Sequence, residues 1–301
     1  MIAALAIALL AGAGDPLRFA PPIDQPLRYR HTEHRIGDDG GDLRFTMTEE
    51  VRYARDGAGY IMTIRALSAD AQAPAPARAV FDAAMRPFIG VPVRLHLSPT
   101  GDPGDLIDAD ATWAQLVAAI QAAADARPAT DTLDQRALIE RTARGLATLP
   151  PAARDAMMKA PAVALLGLAV PDLGVGDSAP LAEPVETPLG TALPSSGTIR
   201  RDPDSDGARH YRRDLATSAA AADGLAATLR ANAAKADPAT RARIEQQAAA
   251  IERLRIHETG GITLSASSGL LLAASQRTTC ADPAAPGGER PVSEQEELLI
   301  P

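Results

Sequence analysis

The sequence predicts an α+β fold: a curved antiparallel sheet of about eight strands packed against a block of α-helices, plus an Ala-rich helical hairpin. Three observations carry this reading. Residues 43–66 alternate apolar and polar side chains in two runs split by Asp56-Gly57, which is the pattern of half-buried strands joined by a tight turn. Residues 109–169 then change to helical spacing, with Trp113, Leu116, Val117 and Ile120 at i, i+3, i+4 and i+7 on one apolar face. Residues 218–252 are Ala-rich and broken by Asp237-Pro238, an N-cap followed by a proline suited to the first helical position.

The first strand runs from Leu27 to Ile36 and ends at Gly37-Asp38-Asp39-Gly40-Gly41. In the second, Leu43, Phe45, Met47, Val51 and Tyr53 alternate with Arg44, Thr46, Thr48, Glu50 and Arg52. Tyr60, Met62, Ile64 and Ala66 repeat the alternation in the third. Strands with one apolar face suit a sheet covered on one side and wet on the other. A short helix at 77–86 stops at Pro87, and Val91, Val93, Leu95 and Leu97 form a fourth strand up to Pro99-Thr100-Gly101. Asp108 or Asp110 can cap the helix that carries Trp113. Two more helices are expected at 133–149 and 152–168, separated by Pro150-Pro151.

Residues 171–194, rich in Pro and Gly and without a period, read as extended linker. Strands return at 198–201 and 209–215, and after the helical hairpin a β-hairpin turns at Ser267-Ser268-Gly269 between Ile262-Leu264 and Leu270-Ala274. The expected organisation is a single domain over 14–280, with the helical block at 109–169 and the hairpin at 218–252. A split near Pro180 is the alternative. Residues 281–301 form a C-terminal tail, whose 292–300 stretch is a last edge strand or an acidic disordered end.

The chain has 301 residues, 46% hydrophobic but only 3% aromatic. Ala supplies 64 of them, so much of the apolar content buries little area per side chain. The net charge of −8 argues against nucleic acid as a partner, because its backbone demands a clustered basic face. Arg200, Arg201, Arg209, Arg212 and Arg213 are interleaved with Asp202, Asp204 and Asp206, which cancel most of that local charge.

Residues 1–13 determine the expected compartment. Ile2–Leu10 is apolar and Ala11-Gly12-Ala13 fits a small-x-small cleavage site, so residues 1–13 read as a signal peptide and the mature chain as a periplasmic or secreted protein. Neither that run nor 162–170 is long enough for a transmembrane span, which takes about 20 residues. Cys280 is the only cysteine, so no internal disulfide exists.

The familiar motifs fail on chemistry. Asp202-Pro203-Asp204-Ser205-Asp206-Gly207 opens like a calcium loop, but its twelfth position is Arg213 where a bidentate carboxylate is required. His31 and His34, three apart on a strand, point to opposite faces and cannot converge on one metal. No G-x-S-x-G, phosphate loop or dinucleotide fingerprint is present. No catalytic residue, cofactor or metal site is expected.

Two positions break their own pattern. Glu49 falls on the apolar face between Met47 and Val51, and Arg213 does the same between Tyr211 and Leu215. A buried charge requires a partner. Either Glu49 and Arg213 pair beneath the helices, or they line a ligand site with Phe45, Met47, Tyr60 and Met62. A β-bulge or rim position that lets Glu49 reach water is the alternative.

Three phrases, Arg94-Leu-His-Leu-Ser-Pro-Thr-Gly101, Val170-Pro-Asp-Leu-Gly-Val-Gly-Asp-Ser178 and Gly260-Gly-Ile-Thr-Leu-Ser-Ala-Ser-Ser-Gly-Leu-Leu-Leu272, together resemble a family of uncharacterised exported bacterial proteins. The resemblance covers most of 26–279. It implies export and a curved sheet with helices, and transfers no catalytic residue. Ala179 stands where that family carries an aromatic, and 218–252 looks like an insertion.

These readings lead to a non-catalytic exported protein. Its expected ligand is a lipid or other amphiphile held between sheet and helices, a usual setting for an apolar site. The alternative is a structural or protein-interaction component of the cell envelope, its interior filled by Trp113 and Leu116. A void above about 300 Å³ favours the first.

Overall fold

Alternating side chains place residues 27–72 in three long strands: β1 (Leu27–Ile36), β2 (Asp42–Asp56) and β3 (Gly59–Gln72). The structure is a computed structural model and describes residues 17–36, 41–75, 78, 81–82, 85–125, 144–166, 170–186, 192–233, 237–281 and 288–301. The signal peptide expected at residues 1–13 and most of the helix expected at 133–149 lie outside these.

The fold is α+β with a mostly antiparallel sheet. The chain divides into two compact units. The first comprises Leu17–Val170, Leu264–Ala273 and Gln295–Pro301, and the second Pro171–Thr263 and Ala274–Glu294.

In the first unit β3 is followed by a helical stretch around Phe81 and Met85, a 3-10 turn at Arg86–Phe88, β4 (Pro92–Leu97) and β5 (Pro103–Ile107). The strand order is β5-β4-β3-β2-β1, with the last residues of β12 (Glu289–Ile300) beside β1. Val51, Tyr53, Met62, Ile64 and Leu95 are at most 3% exposed, so the expected apolar face is the covered one. Phe19 from the Pro-rich lead meets Tyr53 and Tyr60 edge to face at 5.8 and 5.4 Å. Helices α1 (Ala109–Asp125) and α2 (Pro151–Leu166) bring Trp113, Leu116 and Met158 together with Val91.

The second unit holds β6 (Ser178–Leu181), β7 (Pro184–Glu186), β8 (Ala192–Arg201) and β9 (Ala208–Thr217). Helices α3 (Ala219–Ala233) and α4 (Pro238–Arg253) follow, then most of β10 (Ile256–Ser265) and β11 (Leu271–Ala281). Strand order is β11-β10-β9-β8-β6, with β7 also on β8. The hairpin of α3 and α4 buries Ala222, Ala226, Ala248 and Ile251 completely, so small side chains form most of its seam. Arg230 of α3 binds Glu245 and Glu252 of α4.

Twelve strands are present among the described residues, where about eight were expected. Three of the additional ones contain proline. Pro103, Pro180 and Pro184 lack an N–H, which confines them to strand ends, edges and bulges. The stretch expected to be extended linker therefore pairs in part: β6 lies against β8 from Ser178↔Arg200 to Leu181↔Gly197, and β7 from Pro184↔Pro194 to Glu186↔Ala192. The fourth addition is β12, over the 292–300 stretch that had been expected as either a last edge strand or an acidic disordered end.

A cavity with one polar end in the first unit

The covered face of β2 and β3 is not filled to its end. The β2–β3 register shifts between Thr48 and Glu49: Thr48 opposes Ser68 and Glu49 opposes Ala66, leaving Leu67 as the extra residue of a β-bulge. Past this point Met47 and Phe45 oppose Ala69 and Ala71. At the shift Ala66, and facing it Ala160 and Ala164 of α2, present only small side chains to the interior.

The result is a cavity of about 380 Å³, all of it within the first unit. Its sheet side is Met47, Ile64, Ala66 and Val93, and its helix side is Trp113, Leu116, Met157, Met158 and Pro161. Polar groups enter together at one end. Glu49 comes from β2, His31 from β1 and Glu297 from β12. His31 opposes Met47 across β1 and β2, and Tyr29 opposes Glu49, which puts all four on one face. The Tyr29 hydroxyl donates to the Leu271 carbonyl at 3.0 Å.

His31 Nδ1 lies 3.0 Å from Glu297 Oε2. Glu297 Oε1 is buried and meets no hydrogen-bond partner among the described residues, and the same holds for Trp113 Nε1. Glu49 is 5% exposed. Burial pushes its carboxyl up to about 7, the Glu297 charge adds to the rise, and His31 opposes it. The hydrogen bond to Glu297 raises the imidazole of His31, against the effect of burial. One carboxyl, Glu297, therefore pairs with the imidazole, and a second, Glu49, lines the same end of an apolar chamber.

The structure places the six expected site residues differently. Met47 and Glu49 line the cavity. Phe45 packs on Phe81 with ring centroids 4.8 Å apart. Tyr60 and Met62 are core, at 4% and 0% exposure, and the Tyr60 hydroxyl donates to the Phe19 carbonyl at 3.3 Å. Arg213 belongs to the second unit. In place of the expected Glu49 it binds Glu258 at 2.5 Å and Glu183 at 2.9 Å, while Gln276 donates to Glu258 at 2.7 Å. Burial raises the carboxyl of Glu258, and the Arg213 charge works against that rise.

His31 and Glu297 escaped the sequence reading. His31 was weighed only as a metal ligand beside His34, which pairs with Asp42. Glu297 lay in the presumed tail, with only the weak alternation of 292–300 to place it in a strand. Trp113 and Leu116, which the alternative envelope-protein reading placed as filling the interior, line the cavity.

The aspartates of the calcium-like stretch are committed to guanidinium groups. Asp202 holds Arg212 at 2.5 Å, and Asp204 holds Arg201 at 2.8 Å. Among the described residues no group of three or more His, Cys, Asp or Glu is arranged to hold a metal ion. No helix there is long and apolar enough to cross a membrane. No protein-family model matches the chain, and no curated protein matches it.

Proposed function

We propose that this chain is an exported, non-catalytic binding protein that holds one lipid or other amphiphile in the first unit's cavity. The tail lies between the β2–β4 face and helices α1 and α2, and the head rests against His31, Glu49 and Glu297. The cavity of about 380 Å³ with apolar walls and a single polar end carries this reading. That volume is within the range of small-molecule sites, roughly 300–1,000 Å³. Each methylene taken from water contributes about 0.8 kcal/mol, which offsets the entropy lost by ordering a flexible chain. Export rests on the apolar run and small-x-small site of residues 1–13.

Trp113 is the only tryptophan and lines the cavity, so its emission reports occupancy directly. Titration with 1-dodecanol, whose head is uncharged, is expected to give a saturable change in that emission. Ala66→Leu, which fills space from the sheet side, is expected to weaken binding by about tenfold, equivalent to ~1.4 kcal/mol. A flat titration of the wild-type chain would contradict the proposal and turn the search to envelope partners.

A further inference from the structure

The polar end of the cavity also selects a head group, an inference that rests on the amphiphile reading above. We propose that the site takes a long-chain primary amine, its ammonium seated between Glu297 and Glu49. Glu297 Oε1 is a buried acceptor without a donor, and the Glu49 carboxyl lines the same chamber. An ammonium supplies three N–H donors and no acceptor, the complement of acceptor-only carboxylates. Its charge answers a cluster with two acids and one imidazole. A carboxylate or phosphate head would add a further negative charge in an apolar site, and like charges brought together there cost several kcal/mol. A hydroxyl donates once and leaves the charge unanswered.

The other groups on this side of the sheet are already occupied. Glu33 of β1 binds Arg35 at 2.5 Å and accepts from Gln295 at 3.4 Å, and the Tyr29 hydroxyl is bonded to Leu271. The groups that face the head are therefore Glu49, His31 and Glu297. As pH rises Glu49 and His31 both lose protons, so the end grows more negative while an alkylamine stays charged. Amine binding strengthens in that direction.

At the roughly 30 Å³ that a water molecule occupies in the liquid, the cavity accommodates about a dozen heavy atoms, which sets the probe length. Dodecylamine, 1-dodecanol and dodecanoate are titrated into the full chain by calorimetry, the alcohol below its solubility and the other two below their micelle concentrations. Dodecylamine is expected to bind one to one and at least about tenfold tighter than dodecanoate. The ratio should widen between about pH 6 and pH 8. Glu297→Gln and, separately, Glu49→Gln should each narrow it by about tenfold. The pH series on the wild-type chain decides the matter if either variant fails to fold.

Dodecanoate binding as tightly as the amine, with dodecanol also bound, would overturn the head-group assignment and leave the amphiphile reading standing. An amine preference untouched by both substitutions and by pH would also overturn it, as adsorption to a chain of net charge −8. Binding of none of the three probes would overturn both.

Discussion

Glu49 carries the clearest electrostatic consequence of any single residue. Its carboxyl titrates near 7 in the folded chain against an ordinary 4.5, so folding favours the protonated form. That contribution is complete below the unfolded value and is lost as pH rises through about 7. By linkage it amounts to about 3 kcal/mol, to order of magnitude. His31 is raised as well, and its contribution likewise drains away with rising pH. The urea midpoint of the wild-type chain is therefore expected to fall between about pH 5 and pH 8. Glu49→Gln should be flatter over that window and the more stable of the two at its upper end. Parallel profiles for the two chains would refute the assignment. That Glu49 breaks an apolar face was legible in the sequence. Its company was not, because His31 and Glu297, 266 residues apart, come together only through strand pairing, a separation on which local periodicity is silent.

Single elements follow local chemistry where that chemistry is complete. Asp237-Pro238 marks the start of α4 in the sequence, and in the structure the Asp237 carboxylate accepts from the Ala239 and Thr240 amides at 3.0 Å each. Asp237→Ala is expected to cost about 1 kcal/mol, read from the thermal midpoint of the full chain. The edge strands β6 and β7 were not legible, because a proline-rich stretch without alternation acquires its extended form only from the strand beside it. That strand, β8, depends on a close backbone approach. A Cβ at Gly197 would lie 1.8 Å from the Asp214 carbonyl oxygen, which no side-chain movement relieves. Gly197→Ala should therefore destabilise by more than the ~1 kcal/mol typical of point substitutions. A near-neutral result would show that β8 and β9 are spaced more widely than described. The hairpin of α3 and α4 has a seam built mostly of small side chains. Ala222, Ala226 and Ala248 join Ile251 there, with Leu225 and Leu229 packed beside them, since short side chains let the two helices approach.

For the molecule as a whole, alternation and helical spacing were enough to reveal the α+β class and which face of β2–β4 is covered. They did not reveal that this face is left incompletely filled. That property arises beside the bulge at Thr48/Glu49, where Ala66 of β3 and Ala160, Pro161 and Ala164 of α2 line the space. It depends on volumes summed over several elements. Because space is present at Ala66, Ala66→Leu is expected to be neutral or stabilising in urea, where a close-packed interior would lose about 1–3 kcal/mol to overpacking. The most direct test of the central claim is native mass spectrometry of the full chain, prepared without detergent and mixed with 1-dodecanol. A single one-to-one adduct that is much less abundant in Ala66→Leu is the predicted result. No adduct, or adducts of equal abundance in both chains, would contradict it.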